Sequence, residues 1–237
     1  MSWLTFASAI MAAAAAGAAA AAMTLEYSRT RRPHAICWAI SLALFAVACA
    51  VLALAAAVGW SVWLFRLYYL AGGTLTVPWM ALGAAYLFGP IRLARAGLLA
   101  TLALSTVSVA VSVLSRVAVP SGGHGALPEL RQALAAAPVA RALALVANAG
   151  GTCVAVFLLL RASSVYRRKG VLPDKSIGGV VISIGIAAAA VGGALAAVQS
   201  VSYLAPSLAI GAVLMLAGFV RWNRTPRIDS KLAEVPT

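Results

Sequence analysis

Between residues 176 and 220 the sequence contains no Asp, Glu, Lys or Arg, and this apolar run constrains the fold more than any other feature. A helix rises about 1.5 Å per residue and the hydrocarbon core of a bilayer is about 30 Å thick, so one crossing takes roughly 20 residues. The run is too long for one crossing and long enough for two. Arg161, Arg167, Arg168, Lys169 and Lys175 precede it, and Arg221, Arg224, Arg227 and Lys231 follow it. Lysine and arginine collect on the cytoplasmic side of a membrane. Both flanks therefore belong there, and the run must cross, turn and return. Its polar cluster, Val198 to Pro206, marks the turn.

The other charge-free runs are 1–25, 35–65, 67–91, 96–115 and 142–160. The second and third lie between Arg31 and Arg32 on one side and Arg92 and Arg95 on the other, so they form another hairpin, turning near Gly59 to Arg66. The expected fold is all-α: a polytopic membrane protein with seven transmembrane helices near 2–25, 35–57, 67–90, 96–116, 139–161, 177–198 and 201–221. They make a single membrane domain over 1–237, with the N-terminus outside, an outer loop at 117–138 and a cytoplasmic tail at 222–237. This layout puts fourteen of the eighteen basic residues inside, leaving Arg66, Arg116, Arg131 and Arg141 outside. Aromatic residues form the belts expected at the two interfaces, with Trp3, Trp60, Trp63, Tyr68, Tyr69 and Tyr203 outside and Tyr27, Trp38, Tyr86, Tyr166 and Trp222 inside. The Ala-rich opening stretch lacks the basic n-region of a signal peptide and is read as a retained first helix.

Composition narrows the function. A formal charge of +13 would point a soluble chain towards nucleic acid, but 63% of these residues are hydrophobic and only 10% charged. The basic residues lie between apolar runs. No nucleic acid is expected; the partners are the lipid bilayer, anionic lipids at the cytoplasmic face through Arg31, Arg32, Arg167, Arg168 and Lys169, and a membrane or cytoplasmic protein docked on the same loops. The setting is the inner cell membrane. No catalytic residue, metal site or cofactor is expected: HExxH and GxSxG are absent, the three cysteines have no CxxC spacing, and the five acids fall at or beyond the interfaces.

Polar residues inside the apolar segments are the candidates for a site. Arg66 sits in the aromatic stretch "WSVWLFRLYYL", where it either anchors the boundary or takes an anion such as a lipid phosphate, with Glu129 of the outer loop as the one plausible partner in the chain. His124 of that loop is read as a solvated residue. "GGTLTVP", Gly72 to Pro78, interrupts the third helix. Such interruptions free backbone groups, and broken helices mark substrate sites in transporters. Asn148 and Thr152 share a face of the fifth helix, and a mid-membrane amide needs a partner, either on a neighbouring helix or in a ligand. The candidate ligand site is therefore Arg66, Tyr69, Thr74, Thr76, Asn148 and Thr152. Thr101, Ser105, Ser108, Ser112 and Ser115 share a face of the fourth helix, which reads as a close-packing surface or else a cavity wall, and Gly185, Ala189, Gly192, Gly193 and Ala196 on the sixth read as a close-packing surface.

Two readings of function follow. One is non-enzymatic binding or transport of a small or lipid-like molecule; the other is a non-catalytic subunit or sensor that docks a partner through its basic loops. An intramembrane enzyme ranks third. Faint internal echoes, "AISLAL" with "VISIGI" and "YSRTRRP" with "YRRKGVLP", fit a 3+1+3 arrangement of parallel repeats with the fourth helix as linker. That layout resembles the SWEET sugar transporters in topology, though the Pro-Gln motif of their relatives is missing. The stretch "WLFRLYYLAGG…ALGAAYLFGP", residues 63–90, resembles a bacterial seven-helix membrane protein family of uncharacterised function. The resemblance covers about residues 35–90 and implies a class of protein without an activity.

Overall fold

The computed structural model describes residues 3–115, 138–168, 173–198 and 203–223. The outer loop with Arg116, His124, Glu129 and Arg131, residue Lys169, and the tail beyond residue 223 lie outside the described residues. Among the described residues, seven helices are each long and apolar enough to cross a membrane. They are α1 (Trp3–Thr30), α2 (Pro33–Val58), α3 (Val62–Phe88), α4 (Ile91–Leu114), α5 (Pro138–Arg168), α6 (Pro173–Val198) and α7 (Leu204–Asn223).

Several helices outrun the charge-free segments that announced them. α1 continues past residue 25 to Thr30, and α5 past 161 to Arg168. Charge limits what hydrocarbon will accept, but it does not end a helix once the chain has reached the headgroups. The terminators are local. Arg31 takes a left-handed conformation (φ 53°), its N–H bonds Tyr27 O at 2.8 Å, and Pro33 then opens α2. Gly59 (φ 92°) ends α2, a conformation that costs glycine least. Ser61 caps α3, its Oγ accepting from the N–H of Leu64 at 3.3 Å, so α3 begins at Val62 and not near 67. Arg66 consequently lies one turn inside α3 instead of in the turn before it.

The helices are arranged in a ring. α1 packs on α2, α2 on α3, α3 on α5, α5 on α6, α6 on α7, and α7 closes back on α1. α4 stands outside, against α3 and the edge of α5, and is the least buried of the seven. Only Ala94, Thr101 and Ser108 of α4 are buried, a single stripe at seven-residue intervals.

Small residues set the contacts within the ring. Without a hydrophobic driving force between helices in lipid, close van der Waals approach must hold them, and small side chains permit it. On α1, Ala9, Ala12, Ala16 and Ala19 are fully buried. On α6, Gly178, Gly185 and Gly192 meet Gly218, Gly211 and Ser207 of α7. A Cβ on Gly185 would stand 2.8 Å from the backbone oxygen of Gly211. Gly193, from the same sequence stripe, faces open space.

The ring is filled. At the end that carries most of the basic residues, Trp38 packs on Phe219 (5.1 Å between ring centroids), while Phe88 (5.7 Å) and Tyr166 (6.0 Å) flank Trp222. Leu42, Phe45, Cys49, Leu208 and Met215 continue the core towards Trp60, Phe65 and Tyr69 at the other end.

Candidate functional site

The polar residues of the third helix gather around a change of helical register. α3 is α-helical over Val62–Leu70 and Thr76–Phe88, but Ala71–Leu75 forms a π-helical turn. The N–H of Thr76 bonds Ala71 O, five residues back. In that register the carbonyl of Gly73 faces position 78, and Pro78 has no N–H. The amide of Asn148 on α5 fills the gap, its Nδ2 donating to Gly73 O. The interruption in "GGTLTVP" is thus a π turn, latched to a neighbouring helix. Gly151, one turn beyond Asn148, lets α5 lie against Val77, where a Cβ would stand 2.8 Å from Val77 Cγ1.

The two threonines bond their own helix. Thr74 Oγ1 donates to Tyr69 O (3.2 Å) and Thr76 Oγ1 to Ala71 O (2.8 Å). From α2, Ser41 Oγ donates to Thr76 O (2.6 Å) and Trp38 Nε1 to Met80 O (3.1 Å). Sequence reasoning passed over Ser41 and Trp38 as site-shaping groups. The one available signal was their placement among apolar residues, each with a donor needing an acceptor. Thr152 is half-buried on α5, one turn from Asn148.

Arg66 and Tyr69 lie nearer the other end. Arg66 Nη2 donates to Ser115 O at the end of α4 (2.9 Å), and its guanidinium stands over the Trp63 ring at 5.1 Å. Its Nε is buried with no hydrogen-bond partner among the described residues. Tyr69 stacks on Phe65 and donates its hydroxyl to Ala140 O on α5 (3.1 Å).

A small cavity of about 10 Å³, room for about one water, lies where α3, α4 and α5 meet. Tyr69, Thr74, Ser108, Ser112 and Ala140 are among its walls. Ser108 is 4% exposed, and its hydroxyl has no hydrogen-bond partner among the described residues. The structure thus brings Tyr69 and Thr74 to one cavity, with Arg66 one turn away on α3. Thr76 and Asn148 belong to the π-turn latch behind it. Arg31, Arg32, Arg167 and Arg168 are exposed at the opposite end of the bundle.

Fold and site together define a polytopic seven-helix bundle in which Trp38, Ser41, Tyr69 and Asn148 hydrogen-bond one helix to another. No family model, curated protein or solved structure matches the chain, in keeping with a resemblance that carries no known activity.

Proposed function

We propose that this chain is a non-enzymatic, multi-pass protein of the inner cell membrane that binds a lipid-like molecule sideways, in the cleft between α3, α4 and α5. The observation that carries this reading is the buried, unpartnered hydroxyl of Ser108 on the cavity wall. Holding such a group away from water without a partner costs about 1–3 kcal/mol, which a ligand oxygen or a bridging water offsets. The single-stripe attachment of α4 supports the same reading, because the cleft widens if only that helix shifts. Exposed Leu99, Val107 and Val109 on α4, with Leu145 and Val146 on α5, give the surroundings an apolar lateral face.

A site between the two halves of the ring is less well supported. The amide of Asn148 and the hydroxyls of Thr74 and Thr76 are engaged by backbone carbonyls, and Gly151 closes on Val77. In this reading Arg66, Tyr69 and Thr74 border the ligand, while Thr76, Asn148 and Thr152 hold the α3–α5 contact that shapes the cleft. Photoactivatable phospholipid in reconstituted membranes should label peptides of α3, α4 and α5, and Ser108→Leu, which fills the cavity, should remove that labelling. Undiminished labelling in the variant would refute the site.

The second reading, a subunit docking a partner at its basic end, is favoured by the exposure of Arg31, Arg32, Arg167 and Arg168. Charge reversal at Arg167 and Arg168 should release that partner, and an unchanged pull-down counts against it. The parallel-repeat reading has support as well. α2 and α6 each have 26 residues and open with proline, and the ring of contacts maps onto itself when α1–α3 are exchanged with α5–α7. A density map in which the two halves superpose only about an axis far from the membrane normal would rule it out.

A further inference from the structure

Among the described residues no acid lies beside Arg66. The acids among the described residues are Glu26 and Asp174, both at the opposite end of the bundle, where Asp174 pairs with Arg221 at 3.1 Å. Among the described residues, Arg66 meets a carbonyl, Ser115 O, and the face of Trp63. Both leave the net charge in place, and the buried Nε donor is unused. A buried, unpaired donor on a cation is costly, so it marks where an oxyanion adds most.

The neighbourhood also favours an anion. Tyr69, three residues on from Arg66, reaches Ala140 in the first turn of α5, and that helix end carries the positive pole of a 31-residue dipole. Arg141, exposed, follows Ala140 at the mouth of the cleft. Ser115, which Arg66 holds, and Ser108, which lines the cavity, are two turns of α4 apart, about 10 Å. A charged group at Arg66 and an uncharged oxygen nearer Ser108 therefore lie along one groove, headgroup outward and chain inward.

We propose that Arg66 is the headgroup anchor of this cleft and takes the phosphate or carboxylate of an anionic amphiphile from the surrounding leaflet. The proposal rests on the lateral cleft described above and names the class of molecule that fills it. Guanidinium suits the task because its planar fork matches both oxyanions, and the bond to Ser115 O leaves its Nε donor unused.

The test uses the full chain in nanodiscs of phosphatidylcholine with a minor fraction of phosphatidylglycerol, with retained lipid read by native mass spectrometry. The expected result is retention of phosphatidylglycerol over phosphatidylcholine by about tenfold, because the choline cation of phosphatidylcholine already offsets the phosphate charge that phosphatidylglycerol leaves for Arg66. Arg66→Gln should bring the preference close to unity while lipid is still retained, and Arg66→Lys should restore part of it. Intrinsic tryptophan fluorescence melts confirm that each variant is folded. Wild-type protein that retains both lipids equally overturns the anchor and leaves the cleft standing. Retention of no lipid by wild-type protein overturns the cleft and the anchor with it. Displacement of the lipid by inorganic phosphate shows a free-anion site and overturns the amphiphile.

Discussion

The link between Pro78, Gly73 and Asn148 yields the sharpest test of the structure. Replacing Asn148 by Leu keeps the number and branching of the side-chain heavy atoms but leaves Gly73 O without its donor. An unsatisfied carbonyl costs about 1–3 kcal/mol by protein mutational data, and interhelical hydrogen bonds in membranes average about 0.6 kcal/mol with a maximum near 1.7. The expected loss lies where the two ranges meet, at about 1–1.7 kcal/mol. Pro78→Ala returns an N–H to the position facing Gly73 in the π register, and if α3 relaxes to a regular helix its carbonyls are again paired within the backbone. In that background Asn148→Leu should cost less than about 0.5 kcal/mol, leaving a coupling near 1 kcal/mol. The assay is reversible unfolding by sodium dodecyl sulfate titration in mixed micelles, followed by tryptophan fluorescence, on the four proteins of the cycle. Costs that add to within about 0.3–0.5 kcal/mol would show that Asn148 and Pro78 act independently, and the account of the π turn would fail.

Two further outcomes follow from the geometry. Gly185→Ala should destabilise the protein by up to about 2 kcal/mol, because its new methyl meets the rigid backbone of Gly211 and overpacking outweighs the roughly 1 kcal/mol gained in helix propensity. Gly193→Ala, where nothing lies within 4 Å, should be neutral or slightly stabilising, and equal thermal shifts for the two variants would contradict the α6–α7 contact. Tags on the two termini should be accessible from opposite sides of the membrane, since seven crossings separate them; accessibility from one side would dismantle the topology.

Much of the architecture was legible in the chain because the bilayer enforces simple rules. A crossing has a fixed length, charges are excluded from it, and basic residues choose a side. These rules separated the run 176–220 into α6 and α7 and placed the turn between them. They also singled out Asn148 and the Gly72 to Pro78 stretch as places where polar groups needed partners. Helix ends were read less well, because Arg31, Gly59 and Ser61 act through backbone conformation and capping, which hydropathy does not see.

Sequence alone determined that this chain is seven apolar helices with polar groups at particular heights, because length and hydropathy act segment by segment. Which helix stands beside which was decided only by the fold. The serines of α4 share a face in any helix, yet only the placement of α4 outside the ring turned Ser108 into the wall of a cleft. Asn148 required an acceptor in any fold, but Gly73 became that acceptor only once α5 lay against the π turn of α3. The reason is physical: in lipid the choice of neighbour rests on close contact and hydrogen-bond geometry, both of which are short-ranged and appear only when the helices meet.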